Sequence, residues 1–277
     1  MSEYINAFDA VARIPGWDPE AAEIEVLKGG LTNRTYHVQH AGTECVLRLD
    51  SQQATLFQFD RSRELAILAE AARAGIAPAI VFAEPESGIL VTEYLPGRVW
   101  QEEDLRSDAQ LEALAALLRK VHALPSSGLR LDMSQVAGTY ERYLERRQGL
   151  HAFASHCVDI IGSIPVREQL ACCHNDIVAA NIVEGAELKL IDWEFACDYD
   201  PMFDLASAIG FHNLDDVQAT VLLSAYAGGT DAESREQLAE QVRVYDAIQW
   251  LWLANRHLVF PSRWQAKRLE ELRQRIR

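Results

Sequence analysis

The chain has 277 residues, with 26 Lys+Arg against 41 Asp+Glu, a formal charge of −15; 49% of its residues are hydrophobic and 24% are charged. This is a globular composition, since a disordered chain has too little apolar surface to offset the entropy of ordering. The acidic surplus excludes a sequence-independent nucleic-acid binder, which needs clustered Lys and Arg, and disfavours docking on an anionic membrane. No apolar run approaches the ~20 residues of a membrane span. Met1–Trp17 lacks the basic-then-apolar layout of a signal peptide. The five cysteines are irregularly spaced, which predicts reduced core thiols in a cytoplasmic chain.

The predicted elements begin with short strands. Glu25–Lys28 and Arg34–Val38 flank Gly29-Gly30-Leu31-Thr32-Asn33, and Glu44–Leu49 alternates as a third strand. Arg61–Ala74 has helical period through Leu65, Leu68, Ala69 and Ala72, and Gly75 stops it. Ile80–Ala83 and Ile89–Tyr94 read as two more strands, and Pro96-Gly97 as a hinge. Beyond the hinge the chain turns helical. Ser107–Gln110 has the form of a capping box, and a second helix is expected over Gly138–Phe153. A strand-rich island follows, with apolar runs at Leu170–Cys173, Asn181–Val183 and Leu188–Ile191. Helices resume near Phe203–Ile209, Asp216–Tyr226, Ala232–Leu253 and Trp264–Arg277. The order predicts an α+β fold with a β-rich lobe over 1–95 and a larger helical lobe over 96–277.

The island carries the chemistry. His174-Asn175-Asp176 and Asn181 form an H-x-D-x-x-x-x-N spacing, and Asp192 closes the strand after it. This is the pattern of a kinase catalytic loop followed by a metal loop. Phosphoryl transfer needs one carboxylate to orient a hydroxyl and accept its proton, and hard oxygen ligands for magnesium. Singly, each residue reads as a turn former or a cap; the joint spacing points to catalysis. Upstream, Arg48 lies on the third strand and Glu64 early in the next helix. These are the places of the phosphate-holding cation and its acidic brace. The Gly29-Gly30 turn, with Thr32 and Asn33, is the candidate phosphate cover. It is neither G-x-G-x-x-G nor a P-loop, and alone it reads as a strand connection.

These motifs, with Glu93-Tyr94-Leu95-Pro96-Gly97 and Ile191–Phe195, resemble the choline kinase, ethanolamine kinase and aminoglycoside phosphotransferase superfamily. The resemblance implies a bilobal protein-kinase-like fold with ATP between the lobes. It implies Asp176 as the catalytic base, and Asn181 and Asp192 as magnesium ligands. It also implies Glu93, Tyr94 and Leu95 as the hinge that meets adenine through its backbone. His174 and Asp204 would support the loop, and for Asp204 a plain charge at a helix N-terminus is the alternative. The flanking residues resemble choline and ethanolamine kinases most, and bacterial thiamine kinases share a similar Ile-Asp-Trp-Glu segment. The acceptor is expected to be a small alcohol or amine, with Trp193, Glu194 and Trp250 against it. Aromatic faces and a carboxylate suit an ammonium group, although the tryptophans equally suit a core. The other readings are a thiamine kinase, an aminoglycoside phosphotransferase, or a nucleotide-binding regulator without turnover. No motif fixes the nucleotide base or the number of subunits.

Overall fold

The computed structural model describes residues 5–27, 33–51 and 60–276. A short helix α1 (Ala7–Val11) leads into a five-stranded antiparallel sheet of β1 (Glu23–Leu27), β2 (Asn33–His40), β3 (Thr43–Asp50), β4 (Ile80–Glu84) and β5 (Ile89–Glu93), in the order β1-β2-β3-β5-β4. Helix α2 (Arg61–Arg73) lies between β3 and β4 in sequence. The two-residue period of β3 decides what each face carries. Cys45, Leu47 and Leu49 are buried against α1 in a small core with Ala10, Val11 and Ile14. The alternate residues Arg48 and Asp50 therefore project to the opposite face.

Past the hinge come β6 (Arg98–Val99), α3 (Asp108–His122), α4 (Met133–Leu144), α5 (Gln148–Ser163), β7 (Ala171–Cys173), β8 (Ile182–Glu184), β9 (Leu188–Leu190) and β10 (Cys197–Tyr199). Four helices complete the chain: α6 (Met202–His212), α7 (Asp216–Ala227), α8 (Ala232–Val259) and α9 (Arg263–Arg275). The small strands form a three-stranded sheet, β6-β8-β9, and a two-stranded pair, β10-β7. Glycine is required at position 97, where φ is 155° and a Cβ would sit 2.5 Å from the Glu184 carbonyl oxygen. That close approach lets the chain leaving the hinge pair β6 with β8.

The larger core is continuous across the hinge. Ile67, Leu68 and Ala71 of α2, together with Ile76 and Leu90, join the buried residues of the C-terminal helices. Leu190 N–H donates to the Ile76 carbonyl at 2.8 Å, so β9 is pinned to the loop after α2.

Two local expectations change. The helix expected over 138–153 is two helices, α4 and α5, which pack on each other. The break falls in Glu145-Arg146-Arg147, a wholly charged run with no apolar residue to continue the buried stripe. The Ser107 capping box does not form. Ser107 precedes α3, but its hydroxyl donates to Gln110 Oε1 at 3.1 Å and caps no backbone N–H. All five cysteines are free and buried. Among the described residues no helix is long and apolar enough to cross a membrane.

Candidate active site

The loop between β7 and β8 brings the His174–Asn181 residues together. Asn181 Nδ2 donates to the Asp176 carboxylate at 2.9 Å and to its carbonyl at 3.0 Å. The amide thus holds the acid by side chain and backbone at once. Helix α6 clamps the same loop. Asp204, fully buried, accepts the N–H of His174 at 3.0 Å and of Asn175 at 2.6 Å, and His122 Nε2 lies 2.9 Å from its second oxygen. Ser207 Oγ accepts the Ile177 N–H at 2.9 Å, and His212 Nε2 accepts the Ala179 N–H at 3.0 Å. Buried N–H groups are costly to leave unpaired, so these three α6 side chains fix the loop's backbone.

A second loop carries Asp192. It is tied to the first by three hydrogen bonds: His174 Nε2–H to the Ile191 carbonyl at 3.0 Å, Ile191 N–H to the Asn181 carbonyl at 3.0 Å, and Asn175 Nδ2 to the Phe195 carbonyl at 3.1 Å. Asn175 and Asp192 both hold left-handed backbone, each with φ 64°. Such conformations cost about 1 kcal/mol or more for a non-glycine residue. They persist here because the flanking groups on both loops are hydrogen-bonded.

The basic side of the cleft comes from β3 and α2. Arg48 pairs with both carboxylate oxygens of Glu64, with Nη2–Oε2 at 2.7 Å, and its Nη1 lies 3.6 Å from Asp192 Oδ1. Glu64 lies on the buried stripe of α2, together with Ile67, Leu68 and Ala71. Its burial is tolerable because it is doubly paired. Arg61, in the first turn of the same helix, is a residue the sequence reading passes over. It reaches Glu64 Oε2 at 2.8 Å, Asp50 Oδ1 at 2.7 Å, Glu194 Oε2 at 3.1 Å and Asn33 Oδ1 at 3.2 Å. A basic residue three positions before an inward-facing Glu was the available signal, since i and i+3 share a helix face. For His122, Ser207 and His212 the sequence holds no comparable signal.

The ionisation pattern follows from these contacts. Burial pushes the Asp176 carboxyl up to about 7, reinforced by Glu194 and Asp204 and opposed by the Asn181 hydrogen bond. Desolvation, then the neighbouring charge of Glu194, raises Asp192 well above the usual carboxylate range, although a third of its side chain faces the open cleft. Burial would raise Glu64 and Asp204 as well, but their partners win. Arg48 and Arg61 hold Glu64 low, and the His122 hydrogen bond and charge hold Asp204 low. Burial lowers His174, so its imidazole is neutral and donates through Nε2.

Asp192 Oδ1 is buried and accepts no hydrogen bond. Asn181 spends its amide nitrogen on Asp176, and among the described residues its carbonyl oxygen accepts from none. Five carboxylates (Asp50, Glu64, Asp176, Asp192, Glu194) meet two guanidinium groups, Arg48 and Arg61. A carboxylate oxygen that accepts no hydrogen bond among the described residues, an amide oxygen and a local surplus of negative charge fit a hard dication such as Mg2+.

The remaining sequence expectations fall out unevenly. Gly29, Gly30 and Thr32 lie outside the described residues. Asn33 opens β2 and donates to Glu194 Oε2 at 2.8 Å. In the hinge, Glu93 N–H donates to the Ala79 carbonyl and Tyr94 N–H to the Glu44 carbonyl. The Leu95 N–H is accepted by no described residue. Of the three residues expected against an acceptor, the two tryptophans turn into the core and Glu194 pairs within the cleft. Trp193 is buried, donates to the Leu190 carbonyl at 3.0 Å and meets His174 edge-on at 4.9 Å. Trp250 is buried between α5 and α8, edge-on to Phe153 at 4.7 Å. Glu194 turns to Arg61 and Asn33. Burying two large indole rings stabilises the core more than exposing them at a wet cleft would. On α8 the ring near Asp176 is Tyr245, close enough that the Asp176 charge adds to burial in raising its phenol. A cavity of about 310 Å³ opens between α4, α5 and α8, lined by Arg130, Tyr199, Asp200 and Gln241, and it includes none of the loop residues above.

Comparison with known proteins supplies the next observation. Residues 23–240 match the profile described as "Phosphotransferase enzyme family". The chain is 27% identical to the protein LicA of Haemophilus influenzae over 73% of its own length and 62% of that protein's, so it spans less than two thirds of this relative. It is also 27% identical to a thiamine kinase of Escherichia coli, over 76% of this chain and 73% of that one. A choline/ethanolamine kinase family protein from Mesorhizobium loti superposes with a TM-score of 0.77 at 24% identity, covering 98% of this chain and 92% of that one.

Proposed function

Since the chain belongs to the phosphotransferase enzyme family, we propose that it is a kinase that phosphorylates the hydroxyl of a small cationic alcohol, using ATP and Mg2+. The convergence of Asp176, Asn181 and Asp192 in one cleft, facing the Arg48–Glu64 pair, carries this reading.

Asp176 is the general base. Raised toward 7 and held by Asn181, it orients the acceptor hydroxyl and takes its proton as the oxygen attacks the γ-phosphorus and the bond from that phosphorus to the bridging oxygen breaks, releasing ADP. Asp192 and the Asn181 carbonyl oxygen would hold magnesium, which when bound neutralises charge on the β- and γ-phosphates. Arg48, fixed by Glu64 on a rigid strand, offers its guanidinium to the phosphates. Leu95 N–H and the backbone of Glu93 and Tyr94 would receive the base of the nucleotide. Asp204 and His174 keep the two loops in register.

For the acceptor, the similar proteins supply a common chemistry. Choline, ethanolamine and thiamine each join a primary alcohol to a positive charge, and the cleft carries more carboxylates than guanidinium groups. Choline or ethanolamine is the first reading. Thiamine is the second, favoured by the relative that matches over three quarters of this chain. An ATP-consumption assay with choline, ethanolamine, thiamine and kanamycin tests both. Turnover of choline or ethanolamine that is lost in Asp176→Asn is the expected result. Turnover confined to kanamycin would overturn the small-acceptor reading. No turnover with intact nucleotide binding would point to a regulator.

A further inference from the structure

Arg61 occupies a place that the catalytic reading leaves without a role. Its Nε donates to the Asp50 carboxylate of β3 at 3.2 Å, and its Nη2 lies 2.7 Å from the other oxygen of that carboxylate as an ion pair. Its Nη1 is shared between Glu64 of its own helix and Glu194 of the Asp192 loop, at 2.8 and 3.1 Å. Its Nη2 also reaches Asn33 Oδ1 at 3.2 Å. The side chain is only 10% exposed. One guanidinium therefore touches the start of β2, the end of β3, α2 and the loop bearing Asp192.

The contacts form a chain around the nucleotide side of the cleft. Asn33 donates to Glu194, Glu194 pairs with Arg61, Arg61 with Glu64, Glu64 with Arg48, and Arg48 lies 3.6 Å from Asp192. Asn33 borders the glycine turn and Glu194 lies two residues past Asp192. We infer that Arg61 is a positioning residue that locks the Arg48–Glu64 pair to the Asp192 loop, so that the phosphate grip and the metal site assemble as one unit. A lysine could keep the charge but not the spread of contacts, because one compact ammonium cannot reach Asp50, Glu64, Glu194 and Asn33 at once as the planar guanidinium does. The role does not depend on which alcohol is the acceptor; it rests on the kinase reading only in taking a magnesium nucleotide as the ligand.

The test measures nucleotide binding apart from turnover. The full chain and its Arg61→Lys, Arg61→Gln and Glu194→Gln variants are titrated with a fluorescent ATP analogue, with and without Mg2+, and melted by calorimetry. The expected result is magnesium-nucleotide affinity about tenfold or more weaker in Arg61→Gln, with Arg61→Lys between it and the parent. Glu194→Gln should show the same direction of change, with the affinity in the absence of Mg2+ much less altered. Glu194→Gln is close to isosteric and keeps the measurement available should Arg61→Gln fail to fold. Folded variants that bind the magnesium nucleotide as the parent does, with only a lowered melting temperature, would reduce Arg61 to a packing role and overturn the inference. If the parent binds no magnesium nucleotide at all, the kinase reading fails first, and that outcome is distinct.

Discussion

Asp204→Asn isolates the cost of anchoring the catalytic loop. The native carboxylate accepts three hydrogen bonds, from the N–H groups of His174 and Asn175 and from His122 Nε2. The substitution is isosteric, so it opens no cavity and removes no packing. It replaces one oxygen with an NH2 group facing donors, and it removes the charge that strengthens every remaining bond. Hydrogen bonds to charged groups are worth about 1.5–3 kcal/mol each, and a buried donor left unsatisfied costs about 1–3 kcal/mol. Losing one to two of the three places the destabilisation near 3–5 kcal/mol. For a chain of this size ~2–4 °C is lost per kcal/mol, so the melting temperature should fall by about 10 °C. The sign with pH is fixed as well. Asp204 is held below its ordinary value, so its contribution is present above the unfolded carboxylate pKa near 4 and fades as pH falls through the folded pKa. The gap between parent and variant should therefore be wide at pH 7 and narrow in acid. Calorimetric melts at both pH values measure it, with an ATP-consumption assay alongside. A variant melting within 2 °C of the parent at pH 7 would refute the argument that Asp204 organises this loop.

Other changes follow from single contacts. Asp176→Asn should abolish turnover while leaving nucleotide binding within a few-fold, read by ATP consumption and by titration with a fluorescent ATP analogue. In the parent, kcat/KM should rise with pH through a limb at or below about 7, because Asp176 must be ionised to accept the proton and a bound dication can only lower its pKa; a flat profile from pH 5.5 to 8 would contradict this. Gly97→Ala should destabilise by about 1–3 kcal/mol, since its Cβ would meet the Glu184 backbone at 2.5 Å; an unchanged melt would refute the close approach.

The legible parts of the site were those encoded by local spacing. Asp176 and Asn181 are five residues apart on one loop, and a fixed short spacing survives any arrangement of the rest of the chain. Arg48 and Glu64 were legible through order alone, because a cation on the third strand and an acid in the next helix meet whenever that helix packs on that sheet. Trp193 and Trp250 show where this stops. A tryptophan beside a metal-loop aspartate carries no information on which way its ring turns, and here both rings enter the core. His122, through Asp204, and Ser207 and His212 directly act on the loop only because α3 and α6 fold over it, each from 30 or more residues away in sequence. Their side chains are ordinary helix residues until that packing exists. The α4–α5 break was hidden because both halves are amphipathic, and a charged tripeptide can continue a helix or end one.

The acidic balance is better judged by place than by total. Residues 1–95 hold 14 acidic and 7 basic side chains, and residues 96–277 hold 27 and 19, so the surplus is shared between the halves and marks neither as a receptor for cations. What differs is the cleft. Three of its five carboxylates, Asp50, Glu64 and Glu194, are neutralised by Arg48 and Arg61. Asp176 is held by the Asn181 amide, and Asp192, 3.6 Å from Arg48, has a buried oxygen that accepts no hydrogen bond among the described residues. Burial is the main cause of both carboxyls titrating high, with the neighbouring charge of Glu194 adding to it in each case. A cation at Asp192 and a polar hydroxyl at Asp176 would each offset that burial cost. The carboxylates least offset by the arginines are thus Asp176 and Asp192, the two to which the proposed function gives the base and metal roles.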